Sequence, residues 1–507
     1  MVLFMKKNIF KSIALILSIV LLFASCNAGP PQNKDSAPHD TAEYPHEADE
    51  YWDTEAPNQE QYHNITENLD TLTSEETTAT LSLKVDTASY SNIARMIKDD
   101  YHPPVDAVRT EELINYFGYE GETEKTDGPF YMYTEIGESP FDENKHMAFI
   151  RIKTPDIVKS DMPYNNLTFL IDTSGSMDSY DKLPLLKSAF RLLVDTLDEN
   201  DRVSIVTYAG SSEVVLDSVS AYDKERILNA IDTLSAGGST AGADGIQTAY
   251  ELAAKNFKKN GNNRVILASD GDFNVGISDT NELKRFIADK RDSGVYLSVL
   301  GFGTGNLRDD MMETLSKHGN GNYSYIDTIR TAEKVLVTEM GANLLTVADD
   351  VKTQVIFNDD IVKSYRLIGY ENRRLRNEDF DNDKKDAGEI GAGSDVVVLF
   401  ELALYDETAG NTDEIFDISI RYKEPGESES KLINKSVTGE RIVENTSVDY
   451  NFACSVAIFG HLLRDSENIG DATFNTAFSL AENNLGADKY GYRSEYLNLL
   501  KEYRQLR

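Results

Sequence analysis

Apolar residues follow different spacings in different parts of this chain, and the changes of spacing divide it. Behind Lys6, Lys7 and Lys11 comes an apolar run over 13–23. Residues 27–78 are rich in Pro, Thr, Asn and acid, with few aliphatic side chains and almost no Lys or Arg, so they predict a disordered tether. Alternation then predicts a strand over 83–86, and helical spacing predicts a helix over 89–97. Pro103-Pro104 breaks that helix, and Val108, Leu113, Ile114 and Phe117 predict another over 109–117. Strand-like runs follow at 130–134 and 147–152.

From 165 to 345 strand and helix patterns take turns. Apolar runs at 167–171, 203–208, 264–269 and 295–302 read as strands, and 213–216 as a short antiparallel neighbour. Between them, 183–197, 227–234, 243–257, 280–291 and 308–317 carry helical spacing. Such alternation implies right-handed crossovers and a mostly parallel, doubly wound sheet. Beyond 346 strands dominate, at 351–357, 364–369, 395–405 and 414–422, before helices at 450–463, 473–482 and 494–506. The fold class expected is α/β: a central doubly wound sheet flanked by a small N-terminal α+β domain and a C-terminal β-rich domain with terminal helices. The expected divisions are 1–25 (signal peptide), 26–78 (tether), 79–164 (α+β), 165–345 (doubly wound) and 346–507 (β-rich and helical).

Length and charge narrow the class. At 507 residues the chain exceeds one ordinary core. Its net charge of −36 argues against nucleic acid as a partner. The basic start and an h-region of about a dozen apolar residues make a signal peptide, too short for a spanning helix. Ala24-Ser25-Cys26 resembles a bacterial lipobox, with Phe23 where Leu is usual. That resemblance implies cleavage before Cys26, lipidation of Cys26 and a membrane anchor; ordinary secretion with an incidental cysteine is the alternative. Cys454, the other cysteine, lies between apolar neighbours in Phe452-Ala453-Cys454-Ser455-Val456 and reads as a core residue.

The candidate chemistry sits where the run 167–171 stops, in Asp172-Thr173-Ser174-Gly175-Ser176-Met177. Open α/β sheets place ligands at the carboxyl ends of their strands. One carboxylate and two hydroxyls at alternate positions of a turn suit a hard cation, Mg²⁺, Ca²⁺ or Mn²⁺, and not zinc; a capped turn without metal is the plain alternative. Asp172-x-Ser174-x-Ser176 resembles the metal-ion-dependent adhesion site of von Willebrand factor type A domains. Those domains also need a Thr and an Asp from two later loops. Thr240, in Gly237-Gly238-Ser239-Thr240, and Asp270, in Ser269-Asp270-Gly271-Asp272, stand in those places. The resemblance implies that Ser174, Ser176 and Thr240 bind the ion directly, that Asp172 and Asp270 act through water or hydrogen bonds, and that a partner protein's Asp or Glu completes the coordination. Mg²⁺ is the ion expected first.

Look-alike motifs fall short of their patterns. Gly301-Phe302-Gly303-Thr304-Gly305 has Asn306 where the dinucleotide fingerprint continues. Asp379-x-Asp381-x-Asp383 begins like an EF-hand, but Lys384 and Ile390 replace the Gly and Glu that loop requires, so a solvated acidic loop is expected. His318 reads as a cap or loop residue.

The wider chain resembles YfbK-type bacterial lipoproteins, through Val85-Asp86-Thr87-Ala88-Ser89-Tyr90, Arg109-Thr110-Glu111-Glu112-Leu113-Ile114-Asn115-Tyr116-Phe117, Ser269-Asp270-Gly271-Asp272-Phe273-Asn274-Val275-Gly276 and Tyr365-Arg366-Leu367-Ile368-Gly369-Tyr370-Glu371-Asn372-Arg373. Gly393-Ser394-Asp395 departs from it, lacking a His after the Gly. The expectation is a non-enzymatic, lipid-anchored protein of the bacterial cell envelope, on the outer membrane or cell surface, that binds a protein partner through a divalent metal. Two alternatives are a metal-dependent phosphohydrolase, in which Asp172 is the nucleophile but Ser174 replaces the usual second Asp, and an envelope scaffold with a vestigial metal site.

Overall fold

In the computed structural model, residues 59–84, 86–157, 162–239, 242–271, 280–405 and 410–506 are described. The central sheet runs, edge to edge, Tyr323–Ile326, Tyr296–Phe302, Asn262–Ser269, Asn165–Asp172, Arg202–Tyr208, Ser212–Ser220. All its neighbours pair in parallel except the last. The Asn165–Asp172 strand is a continuous apolar run because both faces are covered. Leu167, Phe169 and Ile171 pack with Leu186, Phe190 and Ile231 on one face. Leu170 packs with Ile246, Tyr250 and Leu315 on the other. The chain leaves this strand toward Arg202–Tyr208, then returns to its opposite side as Asn262–Ser269. That reversal is a topological switch point, and it leaves a crevice at the two carboxyl ends.

Two six-stranded antiparallel sheets make up the rest. One runs Thr71–Leu72, Val362–Ile368, Asp395–Leu404, His146–Lys153, Tyr131–Glu138, Glu124–Lys125. The other runs Arg374–Leu375, Thr78–Ser82, Thr346–Phe357, Glu414–Lys423, Lys431–Thr438, with Ile390–Gly391 beside Thr346–Phe357. Side-chain alternation decides what each face meets. Ala148, Ile150 and Val398 point into a core shared with Leu81, Val355 and Ile418 of the other sheet. Met147, Phe149 and Val397 point the other way, onto the helices Ala88–Lys98, Val448–Leu463 and Tyr492–Leu506. Strands from before the central sheet thus pair with strands from after it. The stretches 79–164 and 346–507, expected as separate units, share both sheets.

Several local expectations change. Part of the stretch expected as tether, from Gln59 to residue 78, is ordered; the rest of it lies outside the described residues. Gln59 and Gln61 donate backbone hydrogen bonds to Gly305 and Leu307 (2.8 and 2.9 Å). Asn68 is buried against the carbonyls of Leu367 and Gly369, and Thr71–Leu72 adds a strand to an open sheet edge. A polar, acid-rich segment orders here because sheet edges and loops supply backbone partners. The strand expected at 83–86 lies earlier, at Thr78–Ser82. Asp86 has left the sheet, accepting from the Tyr323 backbone N–H (2.8 Å) and from Arg373 (2.7 Å); Val85 is outside the described residues. The helix expected over 109–117 is only Thr110–Ile114. Asn115 ends it by donating to the carbonyl of Glu111 and accepting from the N–H of Val397 (2.8 and 2.7 Å). Two further strands, Tyr323–Ile326 and Lys431–Thr438, are too short or too polar to show in the pattern.

Candidate metal centre

Asp172 is the last residue of its strand and is fully buried. Its Oδ1 accepts the backbone N–H of Ser174 (2.9 Å), a turn that starts the short helix Gly175–Asp178. Its Oδ2 accepts the Ser269 hydroxyl from the neighbouring strand (3.1 Å). Both oxygens are therefore aimed by the chain itself. Ser174 Oγ and Ser176 Oγ lie 3.0 Å apart. Asp270, one residue past its strand and buried, hydrogen-bonds Ser176. Asp172, Ser174, Ser176 and Asp270 thus form one contiguous group across the switch point.

The third loop is tied to the same turn. Gly237 N–H donates to the Thr173 carbonyl (2.8 Å), and Gly175 N–H donates to the Gly238 carbonyl (3.1 Å). Thr240 lies outside the described residues. Gly271 follows Asp270 with φ +100, and a Cβ there would overlap the backbone N of Arg308. Only glycine fits that turn and that closeness together.

One participant was not singled out from the sequence. Lys182, buried at the start of the Leu183–Thr196 helix, places Nζ 2.9 Å from Asp270 Oδ2 and 3.2 Å from Asn306 Oδ1. Burial pushes the Asp172 carboxyl up to about 6, aided by the charge of Asp270. Burial also opposes ionisation of Asp270, but Lys182, with Ser176 and Asn306, outweighs it and holds that carboxyl below its ordinary value. Two carboxylates and two hydroxyls, with no sulfur or imidazole, fit a hard divalent cation. Among the described residues no group of three or more His, Cys, Asp or Glu side chains is gathered as a metal cluster would be, here or elsewhere.

The remaining motifs are engaged otherwise. Asp379 pairs with Arg376 (3.0 Å) and Asp381 with Arg421 (2.5 Å), so these acids face arginines and are not gathered around an ion. The Gly301–Gly305 turn receives the N-terminal segment, with Gly305 N–H donating to Glu60 (3.0 Å). His318 is the last residue of the Asp309–His318 helix.

The central region matches the family model of the von Willebrand factor type A domain over residues 166–337. Residues 56–148 match a model described as von Willebrand factor, and 342–506 one described as YfbK, C-terminal. Along most of its length the chain is 42% identical, over 446 residues, to the "Uncharacterized protein YfbK" of Escherichia coli (strain K12), covering 83% of this chain and 77% of that one. The chain belongs to the YfbK family. An uncharacterized Synechocystis protein is 30% identical over 162 residues, 32% of this chain and 37% of that protein. Among solved structures, the von Willebrand factor type A protein from Catenulispora acidiphila matches with 15% identity and a TM-score of 0.44, covering 76% of this chain and 91% of that one. BatB from Bacteroides thetaiotaomicron matches with 20% identity and a TM-score of 0.30, covering 35% and 97%. In this YfbK-family chain the type A domain is the part that carries the Asp172 group.

Proposed function

We propose that this protein is a lipid-anchored component of the bacterial envelope that binds a partner protein through a divalent cation, Mg²⁺ first, at Asp172, Ser174, Ser176, Thr240 and Asp270. The observation that carries the proposal is the convergence of Asp172, Ser174, Ser176 and Asp270 at the switch point, with both Asp172 oxygens already held by Ser174 and Ser269. With Ser174, Ser176 and Thr240 as direct ligands and Asp172 and Asp270 acting through water or hydrogen bonds, a bound cation would stay under-neutralised and would supply an electrophilic point for a partner's Asp or Glu. The chain's own part is to aim the hydroxyls and bury the two acids. Cys26 supplies the anchor.

The test immobilises residues 27–507 and exposes them to detergent-solubilised envelope proteins with Mg²⁺, with EDTA, and with Asp172→Ala plus Mg²⁺. A protein retained only in the first condition supports metal-bridged binding. Equal retention in all three moves binding to the flanking sheets and removes the metal bridge.

A further inference from the structure

The Lys182 ammonium is an unusual neighbour for a cation site. It reaches Asp270 from the start of a helix that follows the Asp172 turn, with its side chain 9% exposed. Its stem fills the space that a side chain at Gly303 would occupy, since a Cβ there would overlap Lys182 Cγ and Cε. Asn306 accepts its second hydrogen bond. The ammonium is therefore held in place by a glycine, an amide and a carboxylate from two loops.

Charge decides what this placement does. Asp172 and Asp270 together bring two negative charges into a buried site, and Lys182 cancels one. A divalent ion then leaves the group with net positive charge, whereas without Lys182 it would leave none. At short range and reduced dielectric a like charge opposes cation entry strongly. Resting on the metal reading above, we propose that Lys182 is a built-in counter-cation, which lowers the affinity of the site for its divalent ion and keeps the loaded site electropositive toward an acidic partner. It also neutralises Asp270 when no metal is bound, so that two buried carboxylates do not face each other alone.

The experiment titrates MgCl₂ and MnCl₂ into the full chain and into Lys182→Met, Lys182→Gln, Lys182→Arg and Asp172→Ala, by calorimetry and by metal-induced thermal shift. Lys182→Met keeps the length of the stem, and Lys182→Gln is the second neutral variant should Met disturb the packing. The expected result is metal binding about ten- to a hundredfold tighter in the neutral variants, near-native affinity in Lys182→Arg, and a larger Mg²⁺-induced rise in Tm for the neutral pair. Binding by the neutral variants with the native chain silent supports the same conclusion at its limit. Folded neutral variants with native or weaker affinity overturn the role of Lys182 while leaving the metal site standing. Absence of any metal response in every chain, Lys182 variants included, overturns the metal reading itself.

Discussion

Arg109 lies between Glu112, on the Thr110–Ile114 helix that it precedes, and Asp309, which opens a helix of the central domain; Nε donates to Glu112 Oε1 and Nη1 to Asp309 Oδ2, each at 2.6 Å, with all three residues buried. The flanking sheets and the type A domain are joined through this ion group as well as through the chain. Removing the arginine leaves two buried carboxylates without their cation. Arg109→Met should lower stability by about 3–5 kcal/mol, measured by urea denaturation, with both domains losing structure at lower denaturant.

Glu389 is buried with Oε2 lacking any hydrogen-bond partner. Burial first, and then the charges of Asp386 and Asp349, push its carboxyl from 4.5 up to about 8. The folded state therefore holds a proton that the unfolded chain releases near 4.5. Its contribution is fully present below that value and is lost as pH rises through about 8. Glu389→Gln should be more stable than the native chain at pH 9, by about 2 kcal/mol or more, and nearly equal to it at pH 4. Parallel thermal melts from pH 4 to 9 give the comparison, and a constant difference across the range would show that Glu389 does not titrate this way.

Gly271→Ala sets a left-handed backbone and the Arg308 backbone against a methyl group at once. A loss of about 2–4 kcal/mol is expected. Because Asp270 is the preceding residue, the Mg²⁺-induced rise in Tm should shrink even in the fraction that folds.

Glu60 ties the N-terminal segment to the 305–307 loop. It accepts from Gly305 N–H at 3.0 Å and from Arg95 at 3.1 Å, and the Arg95 guanidinium also lies over the Tyr325 ring. Arg95→Ala should release this segment without unfolding the core. Hydrogen exchange should then accelerate at the amides of Gln59, Gln61 and Gly305, while the Asn165–Asp172 strand stays protected.

Cys454 is buried in the Val448–Leu463 helix, and burial pushes its thiol well above the ordinary value. In a chain lacking Cys26 a thiol reagent should react at the rate of unfolding and not before. Fast labelling of the native protein would contradict the packing of that helix.

The sequence by itself determined the central sheet apart from its edge strand Tyr323–Ile326. The inner strands are buried on both faces, so each reads as an apolar run, and the helices between them carry helical spacing. The order of elements then placed Asp172 and Asp270 at strand ends, and residue type marked Ser174 and Ser176. Tertiary structure alone decided the rest, because those outcomes depend on contacts between residues far apart in the chain. Thr78–Ser82 and His146–Lys153 pair with Thr346–Phe357 and Asp395–Leu404 across the whole central domain, and no local pattern records such a partner. Residues 59–62 are polar enough to read as tether, yet the edge of the 305–307 loop gives their backbone its hydrogen bonds. Nothing in the sequence singles out Lys182. It is a member of the site because Gly303 leaves room for its stem and Asp270 and Asn306 meet its ammonium, and that meeting exists only once both loops are folded onto the same end of the sheet.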